Sequence, residues 1–329
     1  MKVISYLGLV AGLGLFGILL AWQGIGDVFQ LLMASGWTLL FLPAVWLPNL
    51  LFATEAWRLL FIAERKPAFG HSLWAIWMGR AVNTLLPVAT IGGEIVKARL
   101  LTHWGCRGTD ASASVLVDKT VQVFAVIVWG LTGIGILFYL SIDNGLARSA
   151  LTGFFLLAAG VAGFLMVQRA GMFSLLSQLG AKLIKSDSWE GITHNAREVD
   201  GLVLSIYRER KRFLYAVALK SLGLMVQTSE VWLACYLLGT PVTLIEAMML
   251  KSLTATMGDV AFVVPNAYGI QEGAFMLVGA LLGINPEQAL ALSLALRIRE
   301  FMIDLPGLLV WQAAESRILL RRHGRTQTQ

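Results

Sequence analysis

Charge is scarce in this chain: only 14% of its 329 residues are Asp, Glu, Lys or Arg, while 57% are apolar and the mean hydropathy is +0.71. Soluble domains carry about 25% charged residues. A soluble fold could not cover so much apolar surface with so few charges, which excludes an ordinary cytosolic enzyme, and a chain this apolar is not disordered. Cysteine is almost absent. Cys106 and Cys235 lie far apart, and the histidines at 71, 103, 194 and 323 are scattered, so no disulfide scaffold, zinc site or haem site is implied. Acidic residues are outnumbered 20 to 26, for a net charge of +6. The basic residues fall between apolar runs, where they set topology and meet anionic lipid headgroups, so no nucleic-acid partner is expected. What remains is a single integral membrane domain over residues 1–329, long enough for six to eight crossings of about 20 residues each.

Residues 3–26 carry no charge, and their apolar run over 3–22 follows a lone Lys2. No small-x-small cleavage site follows Trp22, which favours an uncleaved first span over a signal peptide. Uncharged stretches over 28–54, 120–142 and 149–168 are each long enough to cross, the last as a connecting span. Two further spans, 213–238 and 287–311, contain Lys220 and Glu230 in one and Arg297, Arg299, Glu300 and Asp304 in the other. Charged spans face protein or a water-filled cavity rather than lipid. Regions 72–104 and 244–283 are broken near their middles, by Pro87, Gly92 and Gly93 in the first and by Pro265 and Gly269 in the second. Each reads as a pair of short helices that either re-enters or crosses twice. The expected architecture is an all-α polytopic bundle of six full spans plus two broken hairpins.

With the N-terminus in the cytoplasm, the linkers near 64–71, 97–110, 169–212 and 315–329 lie inside and hold seventeen of the 26 basic residues. The opposite loops hold only Arg148. This asymmetry sets the orientation, with both termini cytoplasmic. In the 169–212 linker, Met172, Leu175, Leu176, Leu179 and Leu183 at helical spacing predict an amphipathic surface helix. A basic tail is expected over 314–329.

Sliding the chain on itself by 178 residues aligns the two broken regions without a gap. Pro87 falls on Pro265, Glu94 on Glu272, Gly105 on Gly283, Ala111 on Ala289 and Lys119 on Arg297. The two units cover 37–140 and 213–313, and the charge argument gives them opposite orientations. Inverted repeats with discontinuous helices point to secondary transporters, with the substrate site between the halves. The plainer alternative is an old duplication that kept only its packing.

The candidate substrate-contacting groups follow from this register. Glu94 opens the helix after Gly92-Gly93, where free backbone N–H groups suit an anion; it either caps its own helix, pairs with Lys97, or meets substrate. Lys119 sits about eight residues into its span beside Asp118, and Arg297 occupies the matching place. Arg297, Glu300 and Asp304 share a helix face while Arg299 points elsewhere. These groups read either as a neutralised structural network or as a headgroup site. Glu55 with Arg58 forms a similar pair. Arg80, with Asn83 nearby, is expected to snorkel. Lys220, Glu230, Lys251 and Asp259 are weaker candidates. No nucleophile elbow, Walker lysine motif, metal-binding His pair or dinucleotide fingerprint occurs, so neither catalytic residues, metal nor cofactor are expected.

The segments Asn83-Thr-Leu-Leu-Pro87, Gly92-Gly-Glu-Ile-Val-Lys-Ala-Arg99 and Val264-Pro-Asn-Ala-Tyr-Gly-Ile-Gln-Glu-Gly273, followed by Arg297-Ile-Arg-Glu300, resemble the lysylphosphatidylglycerol synthase transmembrane, or flippase-like, family. The resemblance covers nearly the whole chain and is closest to the branch associated with bacterial hopanoid biosynthesis. It implies a bacterial inner-membrane protein that moves a lipid between leaflets, with Glu94, Arg99, Glu272, Arg297 and Arg299 as motif residues. The soluble aminoacyltransferase domain of bifunctional relatives has no counterpart here, so its chemistry is not carried over. A membrane-embedded lipid-modifying enzyme and a non-transporting assembly factor for hopanoid synthesis remain alternatives.

Overall fold

The computed structural model describes residues 36–61, 66–86, 92–140, 189–260 and 264–326, with isolated positions at 30, 33 and 166. The first span, the connecting span, Pro87 and the amphipathic segment over 172–183 lie outside the described residues. Among those described, all regular structure is helical. A 3-10 turn, Gly36–Phe41, leads into α1 (Leu42–Arg58). α2 (Phe69–Leu85), α3 (Gly92–His103) and α4 (Gly108–Tyr139) follow, then α5 (Trp189–Arg208) and α6 (Arg210–Leu237). α7 (Leu244–Val260), a 3-10 turn at Pro265–Ala267, α8 (Ile270–Ala280) and α9 (Pro286–Thr326) complete the described chain.

Several boundaries move from the sequence-based reading. The uncharged stretch over 120–142 belongs to a helix that begins at Gly108, in which Asp118 and Lys119 find partners inside the bundle. The expected basic tail continues α9 as helix to Thr326. Within the predicted surface linker, α5 packs on α4 through the buried Val199 and Val203, and Tyr207 donates its hydroxyl hydrogen bond to Thr120 Oγ1 at 3.0 Å. By length and apolar composition, two described helices qualify as membrane spans, Gly36–Arg58 and Gly108–Tyr139. α6 and α9 are long enough but carry charges in their interiors.

Packing is reciprocal. α1 runs against α6, α2 packs on α9, and α4 packs on α7; α3 lies between α2 and α4 as α8 lies between α7 and α9. Small residues allow the close crossings. A Cβ on Gly93 of α3 would stand 2.0 Å from the Gly79 carbonyl oxygen of α2, and one on Gly133 of α4 would stand 2.2 Å from Ser252 Oγ of α7. A Cβ on Gly223 of α6 would meet Asn49 Oδ1 of α1 at 2.6 Å.

The 178-residue offset relates local geometry as well as residue types. Just beyond α3 stands Gly105 (φ +93°) and just beyond α8 Gly283 (φ +73°), both left-handed. Beyond each, Cys106 N–H donates to the Leu101 carbonyl at 2.9 Å and Ile284 N–H to the Gly279 carbonyl at 3.0 Å. These are paired C-caps in which a left-handed residue folds the chain back onto the last helical turn. The following helices also begin alike, with Ala111 N–H donating to the Arg107 carbonyl and Ala289 N–H to the Asn285 carbonyl.

Candidate functional site

Apolar helices cannot hide isolated charges, because an unpaired ion at membrane depth costs several kcal/mol (about 2.5–3.5 by insertion scales). The bundle answers this with two buried ionic clusters, one beside each helix break.

At the first break, the Gly93 N–H of α3 donates to Asn83 Oδ1 of α2 at 2.7 Å, so a neutral amide covers the helix start. Next to it in the first turn, Glu94 meets Lys97 of its own helix and Lys119 of α4, the latter at 2.9 Å. Lys97 also reaches Asp118 at 3.0 Å, and Asp118 takes Lys220 of α6 at 2.7 Å. The Lys97 ammonium stands 5.2 Å over the buried Trp57 ring. Lys97, Asp118 and Lys220 are buried, whereas the Lys119 side chain keeps 41% of its exposure.

The second break is strained. Asn266 (φ 52°) and Ala267 (φ 49°) both adopt the left-handed conformation that side chains disfavour, and Gly269 (φ 76°) precedes α8. Here a carboxylate covers the helix start: Gly269 N–H donates to Glu272 Oε2 at 2.7 Å. Arg297 of α9 pairs with Glu272 Oε1 at 2.9 Å and with Glu300 at 3.1 Å, and its guanidinium stacks 4.7 Å from the Tyr268 ring centre. Asn266 Nδ2 donates to Glu300 at 3.2 Å, and Ser293 donates to Glu272 at 3.4 Å. Glu272 is fully buried and Arg297 is 5% exposed.

A third set joins the two halves. Arg80 of α2 turns inward to Asp304 of α9 at 3.1 Å, correcting the snorkelling expectation; the fully buried carboxylate holds it there. Arg299 of α9 pairs with Glu230 of α6. The two guanidiniums lie on the Trp46 ring of α1, 4.3 Å and 5.0 Å from its centre, so cation–π attraction supports both. Lys251 of α7 lies in the electrostatic reach of Glu230, Glu300, Arg80 and Arg299.

Of the sequence-based candidates, Glu94 and Lys119 with Asp118 thus form one group, and Glu272, Arg297 and Glu300 another. Arg299 and Asp304 join the interface set. Arg99 stands apart: it faces Glu315 of α9, both lining a cavity of about 200 Å³ with Ile95, Val96, Leu100 and Trp311. Sequence reasoning passed over Lys97 as more than a partner for Glu94, and missed Trp46, Trp57, Tyr268 and Glu315 as neighbours of the charges. A charge or large aromatic inside an apolar run is the only local signal such residues give. Among the described residues no group of His, Cys, Asp and Glu could hold a metal ion.

The regular structure of the described residues is all helical, their apolar helices are broken twice and each break carries buried ion pairs, which is consistent with a membrane protein. The chain belongs to the family described as lysylphosphatidylglycerol synthase TM region, which it matches over residues 9–307. It is similar to a UPF0104 membrane protein of Methanothermobacter thermautotrophicus, 23% identical over 248 residues that make up 72% of this chain and 73% of the relative. No solved structure matches.

Proposed function

We propose that the protein is a lipid translocator of the flippase or scramblase type. In this reading it moves an anionic or glycosylated lipid, a hopanoid derivative among the candidates, across the bacterial inner membrane. The headgroup travels a polar path between inverted repeats while the acyl chains stay in the bilayer. One observation carries the reading: the 178-residue offset maps the Glu94–Lys119 ion pair onto Glu272–Arg297, both at 2.9 Å and both beside a helix break. Reciprocal packing of α2 on α9 and α4 on α7 supports a two-fold relation of the units. Family membership supports a lipid-related role, and the basic-residue asymmetry supports opposite orientations of the two units with cytoplasmic termini.

The test is leaflet exchange in liposomes containing the purified protein and its copurifying lipids. Wild type should accelerate exchange, and Arg297→Ala and Glu272→Ala, compared at equal folded amounts, should slow it. Exchange at the protein-free rate with every copurifying lipid and under every imposed ion gradient would end the translocator reading. The near-complete pairing of the buried charges favours one second reading, a non-transporting assembly factor, which predicts a stable protein partner and no exchange.

A further inference from the structure

Across the three ionic sets, six cations and six carboxylates meet in direct ion pairs. Lys251 and Asp259, both on α7, bring one more charge of each sign, and neither makes a salt bridge with any described residue. They act at longer range: Asp259 on Lys119 and Lys251, and Lys251 on Glu230 and Glu300. With Asp259 ionised the polar layer is neutral. With Asp259 protonated, one cation is left over.

Lys251, Ala255 and Asp259 follow at four-residue steps and share one face of α7. Gly133 of α4 abuts Ser252, and Ala255 packs against the cluster of Ala125, Trp129 and Leu224, so α7 runs opposite to α4. One turn further on, Asp259 lies level with about the middle of α4, the longer of the two helices that qualify as spans. Asp259 is nevertheless exposed and Lys251 half-buried. A carboxylate facing hydrocarbon at that depth is costly, so the space it reaches is polar. Two buried groups beside the same face agree. The Trp129 indole N–H, and the Thr228 hydroxyl one turn along α6 from Leu224, have no hydrogen-bond partner among the described residues, a need that internal water meets.

The charges on the other helices packed against α7 are committed elsewhere. Asp118 is taken by Lys97 and Lys220, Glu230 by Arg299 and Glu272 by Arg297, which leaves Lys119 and Lys251 facing Asp259. Two ammonium groups repel a metal ion, which would also need several oxygen ligands. A proton needs one carboxylate and neutralises it in place.

We propose that Asp259 is a proton-binding site in the middle of the polar layer, through which a transmembrane pH gradient acts on the protein. Hydronium gives its proton to a carboxylate oxygen of Asp259, forming one O–H bond and releasing water, and Lys251 is the cation whose charge is then uncompensated. The gradient's action on lipid movement rests on the translocator reading; the binding of the proton does not.

The experiment treats the full-length protein in detergent with dicyclohexylcarbodiimide over a series of pH values and reads the Asp259 adduct by peptide mass spectrometry. The reagent takes up the carboxyl proton and then adds the carboxylate, so it reports protonated acids in apolar surroundings. The adduct should follow a one-proton curve centred near neutral pH and fall about tenfold per pH unit above its midpoint. No adduct at any pH, or one indifferent to pH, overturns the site. Protection by sodium ions at constant pH makes it a metal-cation site and overturns it as well. Infrared titration gives a second reading, in which Asp259→Asn should show one protonated-acid C=O band fewer than wild type on acidification, and equal bands refute the site. If that variant does not fold, the charge-balanced Asp259→Asn, Lys251→Met takes its place. In liposomes, lipid exchange by wild type should respond to an imposed pH gradient and exchange by Asp259→Asn should not; equal responses overturn the coupling role. Proton binding in a protein that exchanges no lipid keeps the site and sinks the translocator reading, whereas exchange without a titrating Asp259 does the reverse.

Discussion

Removing the Glu272 carboxylate tests the physical account of the second break. Glu272 is fully buried and serves three partners: the Gly269 N–H at the start of α8, Ser293, and Arg297. Truncation to Ala takes away a helix cap, a loss of about 1 kcal/mol. It also leaves Arg297 buried with Glu300 alone, and breaking one side of a buried pair costs about 3–5 kcal/mol. Glu272→Gln keeps an oxygen for the Gly269 N–H and loses only the charge, so it should be about 1 kcal/mol less damaging than Glu272→Ala. The double variant Glu272→Gln, Arg297→Met removes both charges and should recover most of the single-variant loss. Reversible unfolding in mixed micelles of graded SDS content measures wild type, these three variants and the single variant Arg297→Met. Additive losses in the double variant, or a Glu272→Ala cost below about 1 kcal/mol, would refute the claim that the two groups are desolvated together. The equivalent Glu94→Ala should cost less, because Lys119 is partly exposed and Lys97 keeps Asp118.

Gly93→Ala should abolish folding or lower the melting temperature sharply, since the new Cβ would collide with the Gly79 carbonyl, whereas Gly135→Ala, with nothing within 4 Å, should be silent in the same melt. Gly105→Ala and Gly283→Ala meet no neighbour, yet each should lose about 1 kcal/mol by unfolding titration because both positions are left-handed. In a cysteine-free background, Glu209→Cys should react with an impermeant maleimide only after the cell is opened, and Pro241→Cys in intact cells; the opposite pattern contradicts the basic-residue orientation.

The helix breaks were legible because proline and paired glycines interrupt apolar runs, and the breaks fall between α2 and α3 and between α7 and α8. The register of the two halves was legible because proline, carboxylate, glycine and cation recur at one offset. The pairing of Glu94 with Lys119 and of Glu272 with Arg297, each 25 residues apart along the chain, was not part of that register and emerges only from the packed helices. The long-range ion pairs were not legible. Arg80 meets Asp304 across 224 residues and Arg299 meets Glu230 across 69, and no local periodicity encodes a partner at such distance. The partners of Asp118 and Lys119 were hidden for the same reason, since only the bundle brings Lys97, Lys220 and Glu94 to them.

The length of α9 has a mechanical consequence. Its 41 residues extend about 60 Å, twice the thickness of the hydrocarbon layer, so part of this helix stands outside the bilayer. Pro306 sits midway and leaves the Met302 carbonyl without its helical donor. At the same level the Trp77 indole of α2 donates to the Ile303 carbonyl at 2.8 Å, in a notch that Gly307 keeps open. A wedge and a pin at one point of a long rod make a pivot. A bend of about 10° there would carry the far end, about 30 Å away, through about 5 Å. Any sliding of α2 against α9, the seam where Arg80 holds Asp304, is thereby amplified into a displacement large enough for a probe at the projecting end to register.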